Sequence, residues 1–173
     1  MIITVSGLPG SGKTTVAKIL HGELNLKYVS PGEIFRNMAK EKGMTLAEFG
    51  RYAETHIEID REIDRKQTEL AREGNIILDG RLSGWIVSKE GLPSTRVWLE
   101  ASIETRAKRI AGRENIPFRQ AIAEIQDREA CEWERYWALY GIDLNDLSVY
   151  TLVIDTELPT AEKVAEEILR AVR

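Results

Sequence analysis

The stretch Ser6-Gly7-Leu8-Pro9-Gly10-Ser11-Gly12-Lys13-Thr14-Thr15 directly follows the apolar, β-branched run Ile2-Ile3-Thr4-Val5. Gly7, Gly12, Lys13 and Thr14 fit the pattern G-x-x-x-x-G-K-[ST], in which backbone N–H groups cradle phosphate oxygens, the lysine neutralises charge and the hydroxyl ligates Mg²⁺. The pattern serves that purpose only between a buried strand and a helix, because the phosphates also rest on the unpaired N–H groups and positive dipole of the helix N-terminus. Both flanks are present: after the loop, Val16, Ala17, Ile19, Leu20 and Leu24 recur at helical spacing. The chain is therefore constrained to a strand, a phosphate-binding loop and a helix at its start. Whether the terminal phosphoryl then passes to water, to a protein or to a small molecule rests on the remaining residues.

Five short apolar segments read as strands separated by helical patterns: Ile2 to Val5, Lys27 to Val29, Asn75 to Leu78, Thr95 to Leu99 and Tyr150 to Ile154. That alternation predicts a three-layer, doubly wound α/β fold with a five-stranded parallel sheet. The last helix is marked by the stripe Ala161, Val164, Ala165, Ile168, Leu169, Val172 and started by Pro159-Thr160. Two stretches exceed what a simple crossover needs. Residues 30–74 hold mostly helical patterns, with capping-box spacing at Thr45-Leu46-Ala47-Glu48, and residues 110–140 form the second. Ligands of such sheets bind beyond the carboxyl ends of the strands, so both are expected to build a second substrate pocket and a lid on one domain spanning 1–173.

With 173 residues the chain can bury one sizeable core. Its 28 acidic against 24 basic residues give a net charge of -4, without a Lys/Arg-rich tract, which disfavours a nucleic-acid polymer as partner. Met1-Ile2-Ile3 enters the first strand without a basic leader, and no apolar run is long enough to span a bilayer, so a soluble, cytoplasmic chain is expected. Cys131 is the only cysteine, which excludes an intramolecular disulfide and a cysteine-built zinc site. An Asn-Lys-x-Asp pattern of the kind that reads guanine in switch proteins is absent.

Outside the loop, charge gathers at the ends of the expected strands. Ser30-Pro31-Gly32-Glu33-Ile34-Phe35-Arg36 opens a helix after the second strand; its hydroxyl, glycine and arginine fit a second phosphate site, or else a capped helix start with a solvated arginine. Asp79 ends the apolar run Ile76-Ile77-Leu78, where phosphate-loop proteins hold Mg²⁺, with Arg81 two residues on; the plainer alternative is an Asp that caps the next helix. Arg106, Arg109 and Arg113 share one helical pattern, and Arg128, Glu132 and Arg135 another. Any one of these could be a solvated i,i+4 partner. Transfer between two anionic substrates, however, asks for several cations around the transferred group. His21 and His56 have no metal-pair spacing and read as structural or surface residues; the four tryptophans read as packing, although Trp85, Trp133 and Trp137 are near enough to the arginines to line a pocket.

Taken together, "SPGEIFR", "ILDGR", "RAKRIAGRE", "DREACEWERY" and "YGIDLNDLSVYTLVIDT" resemble the nucleoside monophosphate kinases over nearly the whole chain. Within them "GMTLAEFGRYAE", "IDREIDRKQ" and "DGRLSGW" look most like the archaeal type of cytidylate kinase. The resemblance implies transfer of the γ-phosphoryl of ATP to CMP or dCMP, with Mg²⁺, by a monomer whose partners are small nucleotides. It implies that Gly7 to Thr15 bind the ATP phosphates, with Lys13 catalytic and Thr14 and Asp79 on the metal. Ser30, Gly32 and Arg36 would hold the acceptor phosphate, and Arg81 would bridge towards the transferred group. Arg109 matches an arginine packed on the ATP base, Arg113 a lid arginine, and Thr156 the adenine edge. Arg128 and Arg135 match a catalytic pair, with Glu132 near the nucleoside.

Some positions depart from the family pattern. Pro31 replaces a small hydroxyl residue and removes an N–H donor. The adenylate-kinase form "DGFPR" is replaced by "DGRLSGW", the lid is short, and the cytosine readers of bacterial relatives have no clear counterpart. Asp60, Arg61 and Asp64 are candidates, since a carboxylate can accept from the cytosine amino group and an arginine can donate to ring acceptors. An AMP or UMP kinase on the same scaffold is the nearest alternative. A hydrolase, a switch or a non-catalytic nucleotide sensor would leave the second arginine set without a purpose.

Overall fold

The computed structural model describes residues 1–173, except the side chains of residues 46 and 47. In chain order the elements are β1 (Ile2–Gly7), α1 (Lys13–Leu24), β2 (Lys27–Val29), α2 (Pro31–Glu41), α3 (Leu46–Glu54), α4 (Glu58–Glu73), β3 (Ile76–Asp79), α5 (Ser83–Lys89), β4 (Thr95–Glu100), α6 (Ile103–Glu114), α7 (Phe118–Tyr140), β5 (Leu152–Asp155) and α8 (Ala161–Val172). The strands form one sheet in the order β2-β3-β1-β4-β5, and every pairing is parallel. β1 lies at its centre, between β3 and β4, so the loop that follows it opens where the chain order across the sheet reverses.

The near-continuous apolar strands are explained by burial on both faces. Successive side chains alternate between faces: Ile3, Val5, Ile77, Val97 and Leu99 pack with Leu20 of α1 and Ile168 of α8. Ile2, Ile76 and Leu78 point the other way, into a core with Ile34 and Met38 of α2, Phe49 of α3 and Ile59 and Ile63 of α4. Each fully buried side chain of this size stabilises the fold by about 1.5–3 kcal/mol. Ala107, Ile110, Ala121 and Ile125 make a smaller core that joins α6 to α7 as a hairpin.

Local chemistry sets the helix ends. Ser30 and Glu33 form a capping box at α2 with Pro31 in the first helical position, and Thr45 and Glu48 form the expected box at α3. Thr160 caps α8 through the Lys163 N–H at 3.4 Å. The 110–140 stretch is divided by Asn115, whose φ of 54° ends α6, and by Pro117, which precedes α7. Two strands start later than expected: Asn75 turns with φ 50° instead of opening β3, and β5 begins at Leu152, after Tyr150 has packed its ring 5.1 Å from that of Trp98.

Candidate active site

The phosphate loop is shaped by what surrounds it. Gly12, at φ 91°, is the N-cap of α1, a conformation that disfavours any Cβ. Gly10, at φ 81°, lies so close to α6 that a Cβ there would sit 2.7 Å from the Arg106 carbonyl. Arg106 is buried and braces the loop, donating to the Pro9 carbonyl at 3.3 Å and the Ala101 carbonyl at 3.0 Å while pairing with Glu129 at 2.5 Å. Its role in this structure is therefore support of the loop. Arg109 donates to the Gly10 carbonyl at 3.2 Å and to the Thr156 carbonyl at 2.5 Å, and the Thr156 hydroxyl lies 3.2 Å from the Ser11 carbonyl. These bonds tie the loop to the end of β5.

The loop separates two recesses. On one side Lys13 and Thr14 open onto a cleft of about 550 Å³, which also takes in Ser30, Gly32, Arg36, Asp79 and Arg81. Arg128, Glu132 and Arg135 enter it from α7, and Asp60 and Asp64 from α4. On the other side Gly10, Ser11, Gly12 and Thr15 line a recess of about 410 Å³ with Arg109, Arg113 and Thr156. Leu8 turns to a third recess beside Trp98 and Leu144.

Within the main cleft, cations and carboxylates are arranged in pairs. Arg81 Nε lies 2.5 Å from Glu132 Oε2, with both side chains largely withdrawn from water, and Arg128 Nε lies 3.4 Å from Glu132 Oε1. Glu132, expected near a nucleoside, lines this cleft as the shared counter-ion of two arginines. Arg135 crosses from α7 to Asp60 of α4 at 3.5 Å. Ser30 accepts from the Glu33 N–H at 3.3 Å and keeps its own hydroxyl proton to donate. Gly32 lies beside it, where a Cβ would be 3.6 Å from Arg36 Nη1 and 3.8 Å from Ser30 Oγ. The capped helix start thus brings Ser30, Gly32 and Arg36 together.

Burial pushes the Lys13 ammonium down to about 8, and the neighbouring Arg81 guanidinium adds to the effect. Arg81 is also lowered, chiefly by burial. Asp64 is raised, because burial penalises its carboxylate more than the hydrogen bond from the Tyr140 hydroxyl favours it. Asp79 does not cap α5, which starts without a side-chain cap; its carboxylate accepts the Tyr28 hydroxyl at 2.9 Å. Burial, and then the charge and hydrogen bond of Asp79, raise the Tyr28 phenol.

Not all candidates converge. Arg61 is exposed, about 100° around α4 from Asp60, and lines not the main cleft but a neighbouring recess with Asp64, Arg65, Thr68 and Lys89. Arg113 is 65 % exposed and pairs with Glu114 at 2.9 Å. The tryptophans do not line the cleft: Trp133 and Trp137 stack on each other at 6.1 Å on an exposed side of α7, and Trp85 packs with Leu82, Ile142 and Leu144. Tyr28, Gln67, Tyr136 and Tyr140 do line it, unforeseen from the sequence. Gln67 carried a signal, as the polar member of the buried α4 stripe Ile59, Ile63, Gln67, Ala71.

The parallel sheet, the loop at its switch point and the cation-rich cleft beyond it define a P-loop kinase fold. Solved structures agree: a shikimate kinase from Bacteroides thetaiotaomicron superposes with a TM-score of 0.67 at 13 % identity, covering 99 % of this chain and 98 % of the other. The chain belongs to the cytidylate kinase-like family, whose model matches residues 2–158. It is 54 % identical over 157 residues to a cytidylate kinase of Methanocaldococcus jannaschii, covering 90 % of this chain and 88 % of that one. To a cytidylate kinase of Pyrococcus horikoshii it is 53 % identical over 156 residues, covering 90 % and 80 %.

Proposed function

We propose that this protein transfers the γ-phosphoryl of ATP to CMP or dCMP, giving ADP and CDP or dCDP. The observation that carries the reading is the convergence on one cleft of Lys13 and Thr14 from the phosphate loop with Ser30, Gly32 and Arg36 from α2, and with Arg81 beside them. A hydrolase or sensor has no use for the second set. The names of the curated relatives support cytidine as the acceptor nucleoside.

In this reading the ATP phosphates lie along Gly7 to Thr15, with the adenosine on the side of Arg109, Arg113 and Thr156. The acceptor phosphate is held by Ser30, Gly32 and Arg36, with the nucleoside towards α4 and Asp60, Asp64, Ile63 and Gln67. Helices α2 to α4 form the acceptor-binding part, and the α6–α7 hairpin is the lid. An oxygen of the acceptor phosphate attacks the γ-phosphorus while the bond to the β-phosphate oxygen breaks, so no strong general base is needed. Lys13, Arg81, Arg128 and Arg135 spread positive charge over the transferred group, and Arg113 joins them on closure, which excludes water as a competing acceptor.

A buried carboxylate and an N-terminal helical hydroxyl, Asp79 and Thr14, open onto the same cleft, and this oxygen donor set fits Mg²⁺, which takes few protein ligands and completes its shell with phosphates and water. When bound, the ion would bridge phosphate oxygens and neutralise their charge. The test is ADP formation from ATP·Mg²⁺ with CMP, dCMP, UMP, AMP or GMP. Stimulation by CMP and dCMP is expected; stimulation by another monophosphate alone would keep the kinase and refute the acceptor.

A further inference from the structure

Ser83, at the start of α5, is fully buried and donates its hydroxyl to Gln67 Oε1 at 3.2 Å. Gln67 is itself 2 % exposed, and its Nε2 donates to Asp64 Oδ1 at 3.4 Å; the other Asp64 oxygen accepts the Tyr140 hydroxyl. The direction of this chain is fixed by chemistry. An ionised carboxylate can only accept, so the amide must turn its NH₂ towards Asp64 and its oxygen towards the serine. The wall of the cleft on α4 thus presents a donor, the second Gln67 N–H, next to an acceptor, Asp64.

We infer that Gln67, held in this orientation by Ser83, determines base specificity by presenting to the cleft a donor beside the Asp64 acceptor, a pair that matches the N3 and amino group of cytosine. The inference rests on the proposed function and adds to it the residues that read the base. Cytosine carries an acceptor at N3 beside its amino donor; uracil carries the reverse, an N–H donor beside a carbonyl acceptor. Against uracil, Gln67 N–H would face N–H and Asp64 would face a carbonyl oxygen, leaving polar groups unpaired on both sides. Sites built this way reject the mismatched analogue strongly, because the unpaired groups remain buried. Adenine offers the same order as cytosine, so the pair separates amino bases from keto bases and leaves ring size to the walls of the cleft. Gln67 determines specificity by contact, and Ser83 is a positioning residue that keeps the amide from rotating.

The test is the ratio of kcat/KM for CMP to that for UMP in the wild type, Ser83→Ala and Gln67→Met, with CMP and UMP binding followed by titration calorimetry. Ser83→Ala removes only one oxygen from a buried site and guards against a Gln67 variant that fails to fold. A fall of about tenfold or more in the ratio in either variant, arising in the acceptor KM and in CMP affinity while the KM for ATP stays put, is expected. A merely structural role would lower both acceptors alike and leave the ratio unchanged, which would overturn the inference while leaving the kinase reading intact. A wild type that does not use CMP at all would overturn the reading beneath it, and the inference with it.

Discussion

Arg81 and Glu132 meet at 2.5 Å inside the cleft, with side chains only 12 % and 10 % exposed, and Arg128 shares the same carboxylate at 3.4 Å. A buried pair of this kind holds its guanidinium in place before any phosphate arrives, and breaking it from one side leaves an uncompensated charge. Glu132→Gln should therefore lower the stability of the ligand-free protein by about 3–5 kcal/mol, seen as a fall in Tm of roughly 10 °C. Nucleotide should restore more of that stability than it adds to the wild type, because phosphates then neutralise Arg81 and Arg128. Calorimetric scans with and without ATP plus CMP check this; equal ligand increments in the two proteins would contradict it.

Arg81→Ala and Lys13→Met remove two cations of the cleft that the proposed reaction sets around the transferred phosphoryl. Each should lower kcat by about a thousandfold, with smaller changes in either KM. Steady-state kinetics with both substrates varied separates this from a binding defect.

Arg36 belongs to the Ser30-Gly32 cluster, proposed to hold the acceptor phosphate, so Arg36→Ala should raise the acceptor KM by about tenfold or more and leave the KM for ATP unchanged. Unaltered acceptor kinetics would show that α2 has been assigned to the wrong substrate.

Lys13 titrates near 8 in the ligand-free protein, below its ordinary 10.5, because it is buried beside Arg81. Phosphate oxygens favour the ammonium, so ATP binding should take up a proton as the pH rises above about 8, and affinity should weaken over the same range. The ligand-free stability moves the opposite way: the folded value lies below the unfolded one, so the burden of the buried charge is present below pH 8 and is relieved between about 8 and 10.5. Titration of ATP at pH about 8.5 in two buffers of different ionisation enthalpy measures the uptake; identical heats would refute it.

Arg106 supports the loop without facing substrate, and Arg106→Ala should therefore act first on stability, by about 3–5 kcal/mol, through loss of the Glu129 pair and the Pro9 and Ala101 carbonyl bonds. Chemical denaturation of the variant measures it. A stable Arg106→Ala variant with a large loss of kcat would return this arginine to the reacting group.

The loop, the sheet and the capped helices were legible because each depends on short-range chemistry: the glycine-lysine spacing, β-branched runs, and Ser30, Thr45 and Thr160 before their helices. What was not legible depends on how elements meet. Tyr28 reaches Asp79 only because β2 lies against β3 with Val29 opposite Leu78. The contact of Gln67 with Ser83 requires α4 to lie across the start of α5. Likewise the arginines on α6 and α7 look alike in sequence, yet packing buries Arg106 under the loop, leaves Arg113 in solvent and couples Arg128 to Glu132.

In the proposed reaction one cleft brings ATP and a cytidine monophosphate together for direct transfer. Incubation of the protein with Mg²⁺, ATP radiolabelled in the γ-phosphoryl, and CMP tests it most directly, by separating labelled CDP from labelled inorganic phosphate. Label in CDP, with little inorganic phosphate whether or not CMP is present, is the result expected. Label released as inorganic phosphate at a rate indifferent to CMP would contradict the account.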